Sequence, residues 1–154
     1  MTPAPATRHQ IIVGRLLHLL LSYLETHPVG TVLTAPYDVL LSDTDIVQPD
    51  VLYVRNNSKA QVTEKNVQGP PDLVVEILSP GTAARDRDLK RKRYERFGVQ
   101  EYWPLIRDPS FATYPNSPMS REDQLPPRSS SGSALEALLA FAQEQLHSLQ
   151  EVQP

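Results

Sequence analysis

The chain has 154 residues, 40% of them hydrophobic, with a formal net charge of -3 and no cysteine. That length supports one domain with a core of its own. The missing cysteines exclude a disulfide framework and any cysteine-ligated zinc site, and they fit a reducing cytoplasm.

The net charge alone announces no nucleic-acid partner, but its distribution is uneven: seven of the 15 basic residues lie between Arg85 and Arg96. No signal peptide is visible in the polar, proline-bearing residues 1–10. The apolar run from Ile11 to Leu24 is interrupted by Arg15, His18 and Ser22, so it is too short and too amphipathic for a membrane span. A hydrophobic fraction slightly below the globular norm implies a packed core joined to a poorly packed segment.

Thr7 with Gln10 three residues on reads as a helix start. Ile12, Leu16, Leu19, Leu20, Tyr23 and Leu24 then recur at helical spacing, and Pro28 and Gly30 stop the helix near His27. Residues 31–42 read as a strand with Pro36 at an edge or bulge. Residues 42–45 form a turn, and residues 46–55 return as the second arm of an antiparallel hairpin. The polar stretch 56–70 reads as a surface loop. Residues 72–79 (DLVVEILS) are nearly continuous in apolar character, as expected of a strand buried on both faces at a sheet centre. Pro80 and Gly81 end it. Residues 86–97 form a charged helix closed by Gly98, and residues 101–106 (EYWPLI) form a short strand despite Pro104. Beyond Arg107 the composition turns to proline and serine without apolar periodicity, so 108–132 reads as irregular. Ser133 and Glu136 open a final amphipathic helix striped with Leu135, Leu138, Leu139, Ala142, Leu146 and Leu149, which docks on the sheet or on another chain. The organisation is a core over 1–107, an irregular segment over 108–132 and a terminal helix over 133–154, and the element order points to an α/β fold with one mixed β-sheet flanked by helices.

Three residues in this pattern suggest chemistry. Asp50 precedes Val51, Leu52, Tyr53 and Val54, in a strand context that disfavours aspartate; a strand-start acid at an exposed edge is the plain alternative. Glu76 lies inside the most apolar strand, where a carboxylate is costly unless it is ion-paired or holds a cation. If the two strands are neighbours, the acids converge, and two carboxylates plus water and a substrate phosphate suit magnesium. On the following helix Arg87, Lys90, Arg91 and Tyr94 share a face. A cation aimed from there orients an attacking water or neutralises charge building on a phosphate; the alternative is a solvated face of Asp/Arg pairs. Seven basic against three acidic residues between positions 85 and 96 suits phosphate contact.

At these residues the chain resembles a known group. Pro49-Asp50, then Glu76, with a lysine nearby, resembles the PD-(D/E)XK nuclease signature. More specifically, QPDVLYV, PPDLVVEILSPGT and DRDLKRKRYERFGVQEYW resemble a large bacterial family of restriction-endonuclease-like proteins, over roughly residues 9–103. The resemblance implies the restriction-endonuclease-like fold and magnesium-dependent DNA cleavage, with manganese as a substitute ion. It implies Asp50 and Glu76 as metal ligands and catalytic residues. The general signature expects lysine two positions after the acid, where this chain has Leu78; Lys90 on the next helix takes the place of the catalytic lysine, as in the family. Arg85, Arg87, Arg91, Lys92, Arg93 and Arg96 become candidate contacts to the DNA backbone, which position a duplex without reading its sequence. The family pattern includes strands before the first helix and further strands after Tyr102-Trp103, so the chain reads as a shortened or frame-altered member. DNA is the expected partner, with no membrane and with a homodimer left open. Two other functions compete with a metal-dependent endonuclease: an inactive relic that binds nucleic acid on the same fold, and a small structural domain in which Glu76 is only ion-paired.

Overall fold

The computed structural model of the protein describes residues 7–78, 83–106 and Ala140. The irregular segment and terminal helix expected after residue 107 therefore lie outside the described residues, Ala140 excepted.

The first helix, α1 (Thr7–Thr26), buries the expected stripe of Ile12, Leu16, Leu19, Leu20, Tyr23 and Leu24. Its end falls where Pro28 forbids continuation, with His27 N–H bonded back to Tyr23 O at 3.0 Å. Next come β1 (Gly30–Thr34), β2 (Asp38–Leu40), β3 (Ile46–Val47) and β4 (Val51–Arg55). The long hairpin expected over 31–55 forms, but each arm breaks in two. Thr34 pairs with Val51 and Val39 with Val47, so residues 35–38 on one arm oppose residues 48–50 on the other. The extra residue is a bulge beside the cis Ala35–Pro36 bond. Pro36 and Pro49 have no amide to continue the ladder, and the arms pass into a different sheet there. At the tip, Ser42 Oγ accepts the Asp45 amide at 3.1 Å, as the turn composition anticipates.

Residues 56–70 correct the expectation of a surface loop. They contain β5 (Gln61–Val62) and β6 (Asn66–Gln68). β6 runs parallel to β2 and antiparallel to β5. Strands this short bury a single fully enclosed side chain, Val67, among polar neighbours, so no alternation is long enough to read. The remaining elements are β7 (Leu73–Leu78), α2 (Ala83–Phe97) and β8 (Glu101–Ile106).

The strands form two four-stranded sheets, ordered β1-β4-β7-β8 and β3-β2-β6-β5, rather than the single sheet expected. In the first, β7 is interior, antiparallel to β4 and parallel to β8, and all six of its residues are buried. Pro104 is tolerated because β8 is an edge strand. Strand alternation divides the core. Val51, Tyr53, Leu73, Val75 and Trp103 meet α1 on one face. Leu52, Val54 and Val74 meet Val39 and Val67 of the second sheet and Tyr94 of α2 on the other. The fold is thus a mixed α/β sheet with helices on both faces. Gly98 closes α2 at φ 84°, a left-handed conformation that glycine adopts without strain. At Gly30 a side chain is excluded for a different reason, because the Tyr53 ring and Val54 carbonyl occupy the space a Cβ would need.

Candidate active site

The register of β4 on β7 assembles the site. Val51 pairs with Val75 and Leu52 with Val74; Asp50 lies in a bend one residue before this ladder, and Glu76 one residue beyond Val75. Asp50 is thus held where β4 begins, directly after Pro49, and Glu76 lies within the interior strand.

Each carboxylate oxygen has a donor. Asp50 Oδ2 accepts the Ile77 amide at 2.7 Å, supplying a β7 backbone donor with an acceptor at the point where Pro49 interrupts the neighbouring strand. Asp50 Oδ1 lies 2.9 Å from His9 Nε2, in the first turn of α1. Glu76 Oε2 accepts from Lys90 Nζ at 2.8 Å, and Glu76 Oε1 accepts from the Tyr94 hydroxyl at 2.7 Å. Lys90 and Tyr94 stand four apart on α2, so a single helical face delivers both donors. Burial, then the adjacent Glu76 carboxylate, push the Tyr94 hydroxyl far above its ordinary pKa. Tyr94 therefore remains a neutral donor.

Of the residues singled out from the sequence, Glu76 and Lys90 meet directly, and Asp50 bonds to the amide of Ile77, the residue after Glu76. Lys90 reaches Glu76 while its side chain stays 41% exposed, against 8% for Glu76. One of its three N–H donors faces the acid, and the ammonium remains open to solvent. The other basic residues of α2 divide. Arg87 lies one turn before Lys90 on the site-facing side, with its nearest ion-pair partner, Asp88, at 4.0 Å. Arg91 is exposed and 3.9 Å from Glu95. Arg93 is committed elsewhere, donating to Asp45 Oδ1 at 2.7 and 3.1 Å and so pinning α2 to the β2–β3 turn. Lys92 and Arg96 each stand two residues from Tyr94, roughly 200° around the helix, and project away from the site; Arg96 covers the Phe97 ring at 5.4 Å. The side chain of Arg85 lies outside the described residues.

Sequence reasoning missed two participants. His9 belongs to the α1 stripe by spacing, three before Ile12 and seven before Leu16, so a polar side chain opens an otherwise apolar face. Tyr94 was legible as a face-mate of Lys90, but its role as a buried donor to Glu76 needs the helix placement.

The donor set fits a magnesium-type ion. Every carboxylate oxygen has a second lone pair beyond the one its donor uses. Magnesium takes one or two protein carboxylates and completes its shell with water and phosphate oxygens. Among the described residues no group of three or more His, Cys, Asp or Glu side chains is placed to hold a metal ion. Among the described residues, too, no helix is long and apolar enough to cross a membrane.

Comparison with known proteins bears on the fold and the family. A crystal structure from Anabaena variabilis ATCC 29413, titled "a putative nuclease belonging to DUF820", shares the fold with a TM-score of 0.57 at 16% identity, over 96% of this chain and 84% of that one. No curated protein matches. A family model, Uma2, described as "Putative restriction endonuclease", matches residues 1–110. These residues include both strands that carry the acids and the helix that carries Lys90, and the chain belongs to the Uma2 family.

Proposed function

We propose that the protein is a magnesium-dependent DNA endonuclease that hydrolyses phosphodiester bonds, with manganese as an alternative ion. The observation that supports this reading is the Asp50 carboxylate bonded to the Ile77 amide, next to Glu76 in the chain, with Lys90 on Glu76. A divalent cation held by these acids would polarise a phosphoryl oxygen and lower the pKa of water.

The chain's own residues account for the rest. Asp50 and Glu76 supply negative charge, Asp50 held there by its bond to the amide of Ile77, next to Glu76 on β7. Ile77 N–H and Tyr94 fix one oxygen of each acid, so the remaining lone pairs keep their direction, which is the preorganisation that electrostatic catalysis requires. Lys90, with donors to spare, can hold an attacking water or a phosphate oxygen beside Glu76. Arg87 and Arg91 flank it and suit contacts to the DNA backbone.

The test is nicking of supercoiled plasmid with magnesium, with manganese and with chelator. The parent should cut only with added metal. Asp50→Ala and Glu76→Ala should abolish cutting while leaving DNA affinity intact or higher, because negative charge near phosphate is removed. Lys90→Ala should lower the rate with a modest change in binding. Salt-sensitive DNA binding by a parent that never cuts would overturn the endonuclease reading in favour of a binding module.

A further inference from the structure

We propose that His9 is a positioning residue that fixes the Asp50 carboxylate for cation binding, an inference that rests on the metal-site reading above. Asp50 Oδ1 lies 2.9 Å from His9 Nε2, and an ionised carboxylate can only accept, so Nε2 carries the proton and donates. The other ring nitrogen, Nδ1, is buried and has no hydrogen-bond partner among the described residues. The ring is therefore held by this one polar contact and by its packing, and its polar function is directed at Asp50.

The placement is costly enough to need a reason. His9 occupies the first position of the α1 stripe that continues through Ile12, Leu16 and Leu20 into the sheet. An apolar side chain there would extend the core, whereas a half-buried imidazole leaves one nitrogen unsatisfied, a cost on a stability-only view. What the histidine supplies is the second donor to Asp50. Ile77 N–H holds Oδ2 at 2.7 Å and His9 holds Oδ1, so the carboxylate is clamped at both oxygens and cannot rotate about its last bond. Glu76 is clamped in the same way by Lys90 and Tyr94. The two acids are thus aimed by different helices on opposite faces of the sheet, α1 for Asp50 and α2 for Glu76. Donors that orient ligating groups in this way govern metal affinity, and their loss typically weakens it about 10–100-fold.

The experiment titrates Mn2+ by calorimetry, at one pH, into the full-length parent, His9→Ala, His9→Gln and Asp50→Asn, with a thermal melt of each. Glutamine is chosen because its amide N–H can reach the place of Nε2–H. The expected result is that Asp50→Asn loses measurable binding, His9→Ala binds about 10–100-fold more weakly, and His9→Gln recovers most of that loss. In plasmid nicking, His9→Ala should then regain rate at raised metal concentration, while Asp50→Asn should not. Parental affinity in His9→Ala, with binding lost in Asp50→Asn, overturns the positioning role and leaves the metal site standing. A loss in His9→Ala that glutamine does not restore assigns the effect to helix packing and also overturns it. Parental affinity in Asp50→Asn, or no binding by the parent, overturns the metal-site reading itself and the inference with it.

Discussion

The Tyr94 hydroxyl donates to Glu76 Oε1 over 2.7 Å, joining two buried side chains from neighbouring elements, while the second oxygen of Glu76 meets a lysine that reaches water. Removing Glu76 therefore has unequal consequences for its partners. In Glu76→Ala, Lys90 can turn to solvent but the Tyr94 hydroxyl is left buried without an acceptor, at a cost of about 1–3 kcal/mol. In Glu76→Gln the amide oxygen still accepts from Tyr94, and the change at partly exposed Lys90 should stay within about 1 kcal/mol. Urea denaturation of both variants checks this; equal losses would show that the charge, not the acceptor, is what the site needs for stability.

Alkaline pH should act through two tyrosines. Burial and then Asp72 push Tyr53 up to about 12, and burial and then Glu76 push Tyr94 well above the ordinary value. Both folded values exceed the unfolded value of about 10. Above pH ~10 the native state holds more protons than the unfolded state, so stability falls as pH rises. The contribution of these hydroxyls is complete below that pH and is lost as pH climbs toward the folded values. Thermal melts should be insensitive to these two groups up to about pH 10 and then decline. In Tyr94→Phe the decline should be shallower by as much as about 1.4 kcal/mol per pH unit. An unchanged slope would contradict the placement of Tyr94.

At the far end of β7, Arg55 and Asp72 form a pair with no place in the proposed chemistry. Arg55 Nε donates to Asp72 Oδ1 at 2.7 Å and the Arg55 amide to Oδ2 at 2.9 Å, with Asp72 only 3% exposed. Arg55→Ala strands most of that buried charge and should cost on the order of 3 kcal/mol with no effect on Mn2+ affinity. Denaturation beside calorimetry checks both halves; weakened metal binding in a folded Arg55→Ala protein would mean that the site extends the length of the strand.

Salt dependence should separate the arginines of α2. Arg87→Ala and Arg91→Ala, on the site-facing side or its flank, should weaken DNA binding for all sequences alike and flatten the salt dependence by roughly one unit per lost phosphate contact. Lys92→Ala and Arg96→Ala should do little. Binding isotherms across salt concentrations check this, and the reverse ranking would place the duplex on the opposite side of α2.

Much of the core was legible because its signals are long or costly. The α1 stripe covers several turns, the β7 run is apolar throughout, and an acid inside that run demands a partner. A cation from α2 was legible because that helix follows the strand directly, and the choice of Lys90 among its face-mates came from the family resemblance. The second sheet was not, since β5 and β6 are too brief to show alternation and depend on β2 for their pairing. His9 was hidden for a related reason: its partner lies 41 positions away, and nothing local distinguishes it from a helix-start polar residue. Arg93 and Arg96 carry the same charge in the sequence, and only the neighbouring turn, with Asp45 on it, separates an arginine that pins α2 from one that lies over its own helix end.

In the proposed reaction Asp50 and Glu76 together hold the ion that makes cleavage possible. Glu76→Gln tests it most directly, because it keeps the Tyr94 hydrogen bond and so separates chemistry from folding. The measurement is the rate of plasmid nicking in magnesium by parent and Glu76→Gln proteins whose melting temperatures match. The expected result is metal-dependent cutting by the parent and loss of cutting in the variant. A Glu76→Gln protein that cuts at the parental rate would contradict it.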